Sequence, residues 1–266
     1  MKKIHFTEQY LLRPTNPVTV NLIGCGGNGS SMVQWLTRIN YCLRELEHPG
    51  LQVRVFDGDV VTHNNRLRQG FLEDEVGMNK AAALVARYNR CSGTRWQAYD
   101  CFYSRDSFHQ IGAVVNANIT IGCVDNVPAR YEIIELIKRC NSRGGHHRDQ
   151  PFYYMDLGNT RNTGQYIFST VNPIKQITSP DYETVNRLSF ITDLYGDLLQ
   201  AGADSEEQGP SCSAQEALHR QDLFVNPIVG VCAGRYLWKL FSEYHTFSYG
   251  GVVNLHTERF QPLMIE

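Results

Sequence analysis

Short β-branched runs alternate along this chain with longer segments whose apolar residues keep helical spacing. Residues 18–24 (VTVNLIG) run apolar between Pro17 and a cluster of glycines, which predicts a buried strand. Over about 30–45, Met32, Val33, Leu36 and Ile39 fall on one stripe, as in a helix packed on one side. Residues 51–56 (LQVRVF) predict a second strand, followed by the polar loop DGDVVTHNNRLRQGF and an alanine-rich helix over about 79–88. Segment 117–124 (ANITIGCV) predicts another strand, and Pro128 suits the first turn of the next helix, where a missing N–H costs nothing. Segments 152–157 and 164–169 read as two strands around the turn GNTRNT. This strand–helix alternation predicts a mostly parallel, doubly wound, Rossmann-like α/β sheet.

The pattern changes over 171–214. The stretch is polar, contains Pro173 and Pro180, and ends in ADSEEQGPS, with one short amphipathic helix over 185–200. A region of this length inside a compact fold is usually a functional lid or a disordered segment. Beyond it, 224–241 reads as a long helix, and VVNL and RFQPLMI close the chain as an antiparallel strand pair. We read one domain over 1–266: a nucleotide-binding half at about 17–156, a crossover or lid region at 171–214, and a C-terminal helix and strands at 215–266.

Composition narrows the function classes. A formal charge of −2 offers no basic field for nucleic acid or an anionic membrane. Neither a signal peptide nor an apolar run of membrane-spanning length is present, so a soluble, cytoplasmic protein is expected. The eight cysteines are scattered without a CxxC pair, a usage that fits a reducing compartment rather than a disulfide framework.

Gly24-Cys25-Gly26-Gly27-Asn28-Gly29 joins the first strand to the first helix. Glycines there permit a tight turn and let backbone N–H groups approach a phosphate at the positive end of the helix. Such a loop indicates a nucleotide without choosing between a dinucleotide and ATP. Asp57, at the end of the second strand, suits the ribose hydroxyls of either.

The segments that follow carry more information. Asp57-Gly58-Asp59 leads into Asn65, Arg68 and Gln69; Gly77-Met78-Asn79-Lys80 opens the next helix; Asp125-Asn126 and Arg130 follow the strand at 117–124. A GxGGxG loop, then DxDxVxxxNxxRQ, GxxK and DNxxxR, in this order and near the usual spacings, resembles the ThiF/MoeB and ubiquitin-activating-enzyme family. The later stretches DLGN, PSCS and EALHRQDLFVN resemble the branch of that family found in the plasmid-borne PRTRC gene system.

The resemblance implies ATP-dependent adenylation of the C-terminal carboxylate of a small ubiquitin-like (β-grasp) protein, with release of pyrophosphate. It implies that Asp57 binds the ribose, that Asn65, Arg68 and Lys80 contact the phosphates, and that Asp125 holds Mg²⁺. Gln69 would support the loop or contact ATP. Arg130 is read as a structural ion-pair partner and Asp59 as a turn residue. In several relatives a cysteine near Cys212 forms a thioester or an acyl disulfide with the activated partner. Cys212 is therefore either such a nucleophile or a packed cysteine, and no cation lies within five residues of it to lower its pKa.

Two departures matter. The two CxxC pairs that hold structural zinc in many relatives are missing, and His146-His147 has no sulfur partner, so no zinc site is expected. Arg13 is a poor local match to the arginine that relatives supply across a homodimer interface, although a homodimer is still implied. Two other readings stand beside this one. A nicotinamide-dependent oxidoreductase would use the glycine loop and Asp57 but leave Asn65, Arg68, Lys80 and Asp125 without a role. A silent scaffold binding a ubiquitin-like partner would need none of the polar set.

Overall fold

In the computed structural model, which describes residues 1–141, 148–203 and 221–266, the apolar runs pair into one eight-stranded sheet. Its spatial order is β4 (Gln97–Tyr99), β3 (Leu51–Phe56), β2 (Val18–Ile23), β5 (Ile119–Gly122), β6 (Tyr153–Asn159), β7 (Thr163–Thr170), β10 (Ser248–Asn254) and β11 (Arg259–Met264). The first five strands are parallel and the last three join antiparallel. Because β2 lies between β3 and β5, the chain winds outward from it in both directions. Such a switch point opens a crevice at the carboxyl ends of the two central strands.

Strand alternation decides the two faces. Val20, Val53, Ile119 and Tyr153 stand in register across four strands, each at most 1% exposed. Their face is covered by α2 (Gly27–Glu45), α3 (Lys80–Ser92) and α7 (Val225–Ser242). The opposite face carries Ile23, Phe56 and Tyr154 under α4 (Phe108–Ile111) and α5 (Val127–Asn141). It also buries polar residues that bond locally: Thr19 pairs with Asn118, and the Asn21 amide donates to the Val114 and Val115 carbonyls. Those bonds offset the desolvation that buried amides and hydroxyls would otherwise suffer.

A second, three-stranded sheet joins distant parts of the chain: β8 (Glu183–Thr184), β1 (Lys3–Phe6) and β9 (His245–Thr246). Its strand β1 leads into the single-turn α1 (Gln9–Leu12), and the sheet explains why the helix expected over 185–200 starts late. The Val185 N–H donates to the Ile4 carbonyl and the Ile174 N–H to that of Asn186, so 183–186 is held extended. Helix α6 (Ile191–Ala203) begins only after this, with a non-helical residue at Tyr195. No helix among the described residues is long and apolar enough to cross a membrane.

His5 locks the small sheet to the large one. Its Nδ1 donates to the Val185 carbonyl at 2.7 Å, and its Nε2 accepts from the Tyr153 hydroxyl at 3.0 Å. That hydroxyl in turn accepts the Glu8 N–H at 2.9 Å. Burial lowers the His5 pKa and so favours the neutral imidazole, in which Nε2 accepts from Tyr153. The unfolded chain therefore binds the proton more readily, and this stabilisation is lost as pH falls below roughly 6.5. Relative to His5→Gln, the wild-type protein should lose up to about 1.4 kcal/mol of unfolding free energy per pH unit in that range. Denaturant titrations at pH 7.5 and 5.5 check this, and parallel curves for the two proteins would refute it.

Candidate functional site

The turn after β2 is built so that most of its glycines serve the protein's own packing. Gly24 takes a positive φ of 89°, and a Cβ there would press to 2.8 Å from the Cys123 carbonyl oxygen at the end of β5. A Cβ at Gly27 would collide with the Asn226 amide, and one at Gly29 with the Gly24 carbonyl oxygen. Gly26 is different, because a Cβ there would meet no atom within 4 Å. Gly26 also caps the start of α2 without any side-chain hydrogen bond, and no acidic residue occupies the first turn. The positive end of a 19-residue helix thus faces open space over a bare Cα.

Asp57 closes the turn from below. Its Oδ2 accepts the Cys25 N–H at 2.5 Å and its Oδ1 the Asp59 N–H at 2.8 Å. Burial raises its pKa, opposed by those two bonds and by the Lys80 charge. The Asn79 amide donates to the Asp57 and Asp59 carbonyls at 2.7 and 3.1 Å, while its Oδ1 accepts the Ala82 N–H and caps α3. This stitching carries Lys80 to the turn. A lysine at a helix start would ordinarily extend into solvent, yet Lys80 is only 8% exposed. Its Nζ lies 2.9 Å from Asp59 Oδ2, and its charge is near enough to Cys25 to favour that thiol's ionised form. Asp59 is therefore more than a turn residue.

Asn65, Arg68 and Gln69 follow from a 3₁₀ turn (His63–Leu67). Asn65 Oδ1 accepts the Thr62 N–H at 2.8 Å, which closes the turn, and the Gln69 N–H donates to the Asn65 carbonyl at 2.9 Å. Arg68 Nη1 donates to Gln221 Oε1 at 2.7 Å, and the same oxygen accepts from Asn226 Nδ2 at 3.1 Å. Gln221 and Asn226 escape sequence reasoning. Both lie in the stretch EALHRQDLFVN, whose resemblance gave them no role, and the local signal is Asn226, a polar residue in the otherwise apolar first half of its helix.

Asp125 is exposed just past β5, and Asn126, not Asp125, caps α5 through the Ala129 N–H at 2.9 Å. Arg130 makes the expected structural pair: its Nε lies 3.3 Å from Asp156 Oδ2, both groups being buried, and its Nη2 donates to the Val124 carbonyl at 3.2 Å. The Tyr154 hydroxyl donates to the same carboxylate at 2.8 Å. Asn28 Nδ2 donates to Asn159 Oδ1 at 2.8 Å and so ties α2 to the end of β6.

Cys25 and Cys123 are buried at the turn, and burial pushes both thiols up, which makes them inert packing residues. Cys212 and the His146-His147 pair lie outside the described residues. Among the described residues, no three His, Cys, Asp or Glu side chains group to hold a metal ion.

Comparison with known proteins bears on the family and the fold. The ThiF family model matches residues 8–261. Among solved structures, PaaA aligns with a TM-score of 0.60 at 16% identity, over 94% of this chain and 73% of its own. E. coli MccB in a structure with MccA gives 0.57 at 14% identity, over 96% of this chain and 65% of its own. MccB with ATP gives 0.53 at 15% identity, over 95% and 64%. The chain thus spans about two thirds of the length of MccB, and at these identities the likeness is one of fold. No curated protein matches it in sequence. With a family match over nearly its whole length, the protein belongs to the ThiF family.

Proposed function

We propose that this protein is an ATP-dependent adenylyltransferase that activates the C-terminal carboxylate of a small ubiquitin-like protein and works as a homodimer. The observation that carries the reading is the cradle at Gly26. An uncapped helix end over a bare Cα is suited to receive a polyphosphate, and a buried lysine stands beside the same turn. MccB, a neighbour in fold, has been solved with ATP and with MccA, which supports a site for a nucleotide and a partner.

In this reading the substrate carboxylate attacks the α-phosphorus of ATP, a P–O bond forms, and the bond to pyrophosphate breaks. Little covalent work falls to the protein, so positioning and charge neutralisation dominate. Backbone N–H groups of the glycine turn would hold phosphate oxygens, Lys80 and Arg68 would offset their charge, and Asn65 and Gln69 would shape the adjoining loop. Asp57 would set the ribose while keeping the turn closed. Mg²⁺ ordinarily takes one or two carboxylates plus phosphate oxygens, so exposed Asp125 fits as its single protein ligand. When bound, the ion would neutralise phosphate charge. A two-fold dimer is the commonest closed oligomer, and light scattering at micromolar concentration checks it.

Gly26→Ala tests the cradle. The new methyl meets nothing in the protein, so the melting temperature should hold within about 2 °C while ATP affinity drops roughly tenfold. Unchanged ATP affinity by calorimetry would sink the nucleotide assignment, and tight NAD binding would turn the reading to an oxidoreductase. Pyrophosphate exchange with candidate β-grasp proteins then tests the substrate class.

A further inference from the structure

We infer that Gln221 and Asn226 form a relay that positions Arg68 against the glycine turn, an inference that rests on the adenylyltransferase reading. Three stretches of chain meet at one side-chain carbonyl. Gln221 Oε1 receives Arg68 Nη1 from the loop after β3 and Asn226 Nδ2 from the first turn of α7. Asn226 is 2% exposed, and its amide occupies the space that any side chain at Gly27 would need. The relay therefore runs from the start of α2, where Asn226 packs against Gly27, through two hydrogen-bonded amides to a guanidinium.

Packing alone does not account for this arrangement. An apolar residue at 226 would fill the α2–α7 interface without having to satisfy a buried amide, which costs on the order of 1–3 kcal/mol if left unpaired. A long, rotamer-rich arginine gains from being held, because each bond it makes to phosphate then forfeits less conformational freedom. Gln221 supplies that hold as an uncharged acceptor and adds no negative charge near the phosphates. A second link secures the same end: the Asp222 N–H donates to the Arg161 carbonyl in the β6–β7 turn at 2.9 Å, which fixes the backbone beside Gln221. Gln221 and Asn226 are thus positioning residues, acting through Arg68 rather than on the reacting atoms.

A double-mutant cycle with Mg·ATP as the probe tests the relay. Gln221→Met and Gln221→Ala each remove the acceptor, the first while keeping side-chain length. Both should weaken calorimetric ATP binding about tenfold in a protein that melts within a few degrees of wild type. In an Arg68→Ala background, which itself weakens binding, the same substitutions should change affinity by less than twofold. A purely structural Gln221 would instead lower affinity by the same factor in both backgrounds, and that outcome overturns the inference. So does wild-type affinity in both Gln221 variants while Arg68→Ala binds weakly. If the wild-type protein itself does not bind ATP, the adenylyltransferase reading fails and the relay fails with it, a result distinct from either of the others.

Discussion

Lys80→Ala should lower ATP–pyrophosphate exchange by about 10²–10³-fold, and Asp125→Ala should bring it below detection in a protein that still folds. Losing one preorganised charge at a developing oxyanion typically costs about 3–4 kcal/mol of transition-state stabilisation. Lys80 is placed for such an effect because its ammonium is largely withdrawn from water, and its partner Asp59 is itself exposed. A cation in that setting acts on neighbouring charge with less screening than a surface lysine would. Its removal also leaves Asp57 and Asp59 without an opposing charge beside the proposed phosphate site. Asp125 has the simpler case: it is exposed, and α5 is capped by Asn126, so little of the fold depends on it. Steady-state exchange assays alongside thermal melts check both variants. Exchange within threefold of wild type in folded Lys80→Ala would remove the lysine from the mechanism, and measurable exchange in folded Asp125→Ala would do the same for the metal ligand.

What was legible in the sequence was whatever is encoded locally. The run at 18–24 followed by glycines announced β2, its turn and α2, and the β-branched segments gave β3, β5, β6 and β7 to within a few residues. The second sheet was hidden because its strands have two to four residues and pair across separations near 180 and 240 positions. No local pattern encodes a strand so short, and His5 looks like any polar residue until Tyr153 and Val185 surround it. The same limit applies to the site. Asp57, Lys80, Arg68 and Asp125 could be singled out because each stands in a spaced motif. The burial of Lys80 depends on Asn79 bonding to the Asp57–Asp59 turn, and Gln221 meets Arg68 across 153 positions. Such relations are properties of topology, and composition or periodicity carries no trace of them.

Arg130→Met should be the most destabilising of the substitutions considered, by about 3–5 kcal/mol, with a fall in melting temperature of roughly 10 °C. Asp156 is fully buried in β6, and the Arg130 guanidinium and the Tyr154 hydroxyl are what offset its desolvation. Methionine fills much of the arginine's volume, so the loss reports the unpaired carboxylate rather than a cavity. Burial already raises the Asp156 pKa, with the Arg130 charge opposing it, and without that charge the rise is larger. A carboxyl whose folded pKa lies above its unfolded value of about 4 costs stability at neutral pH, and the cost shrinks as the folded state takes up its proton on acidification. The deficit of Arg130→Met should therefore narrow between pH 7.5 and pH 5.5, and adding Asp156→Asn should recover most of it at neutral pH. The damage should also reach the site, because Arg130 holds the Val124 carbonyl immediately before Asp125. Denaturant midpoints for the wild type and the two variants at both pH values decide the matter. A deficit below 1 kcal/mol, or one that does not respond to Asp156→Asn, would mean that the pair does not anchor the end of β5.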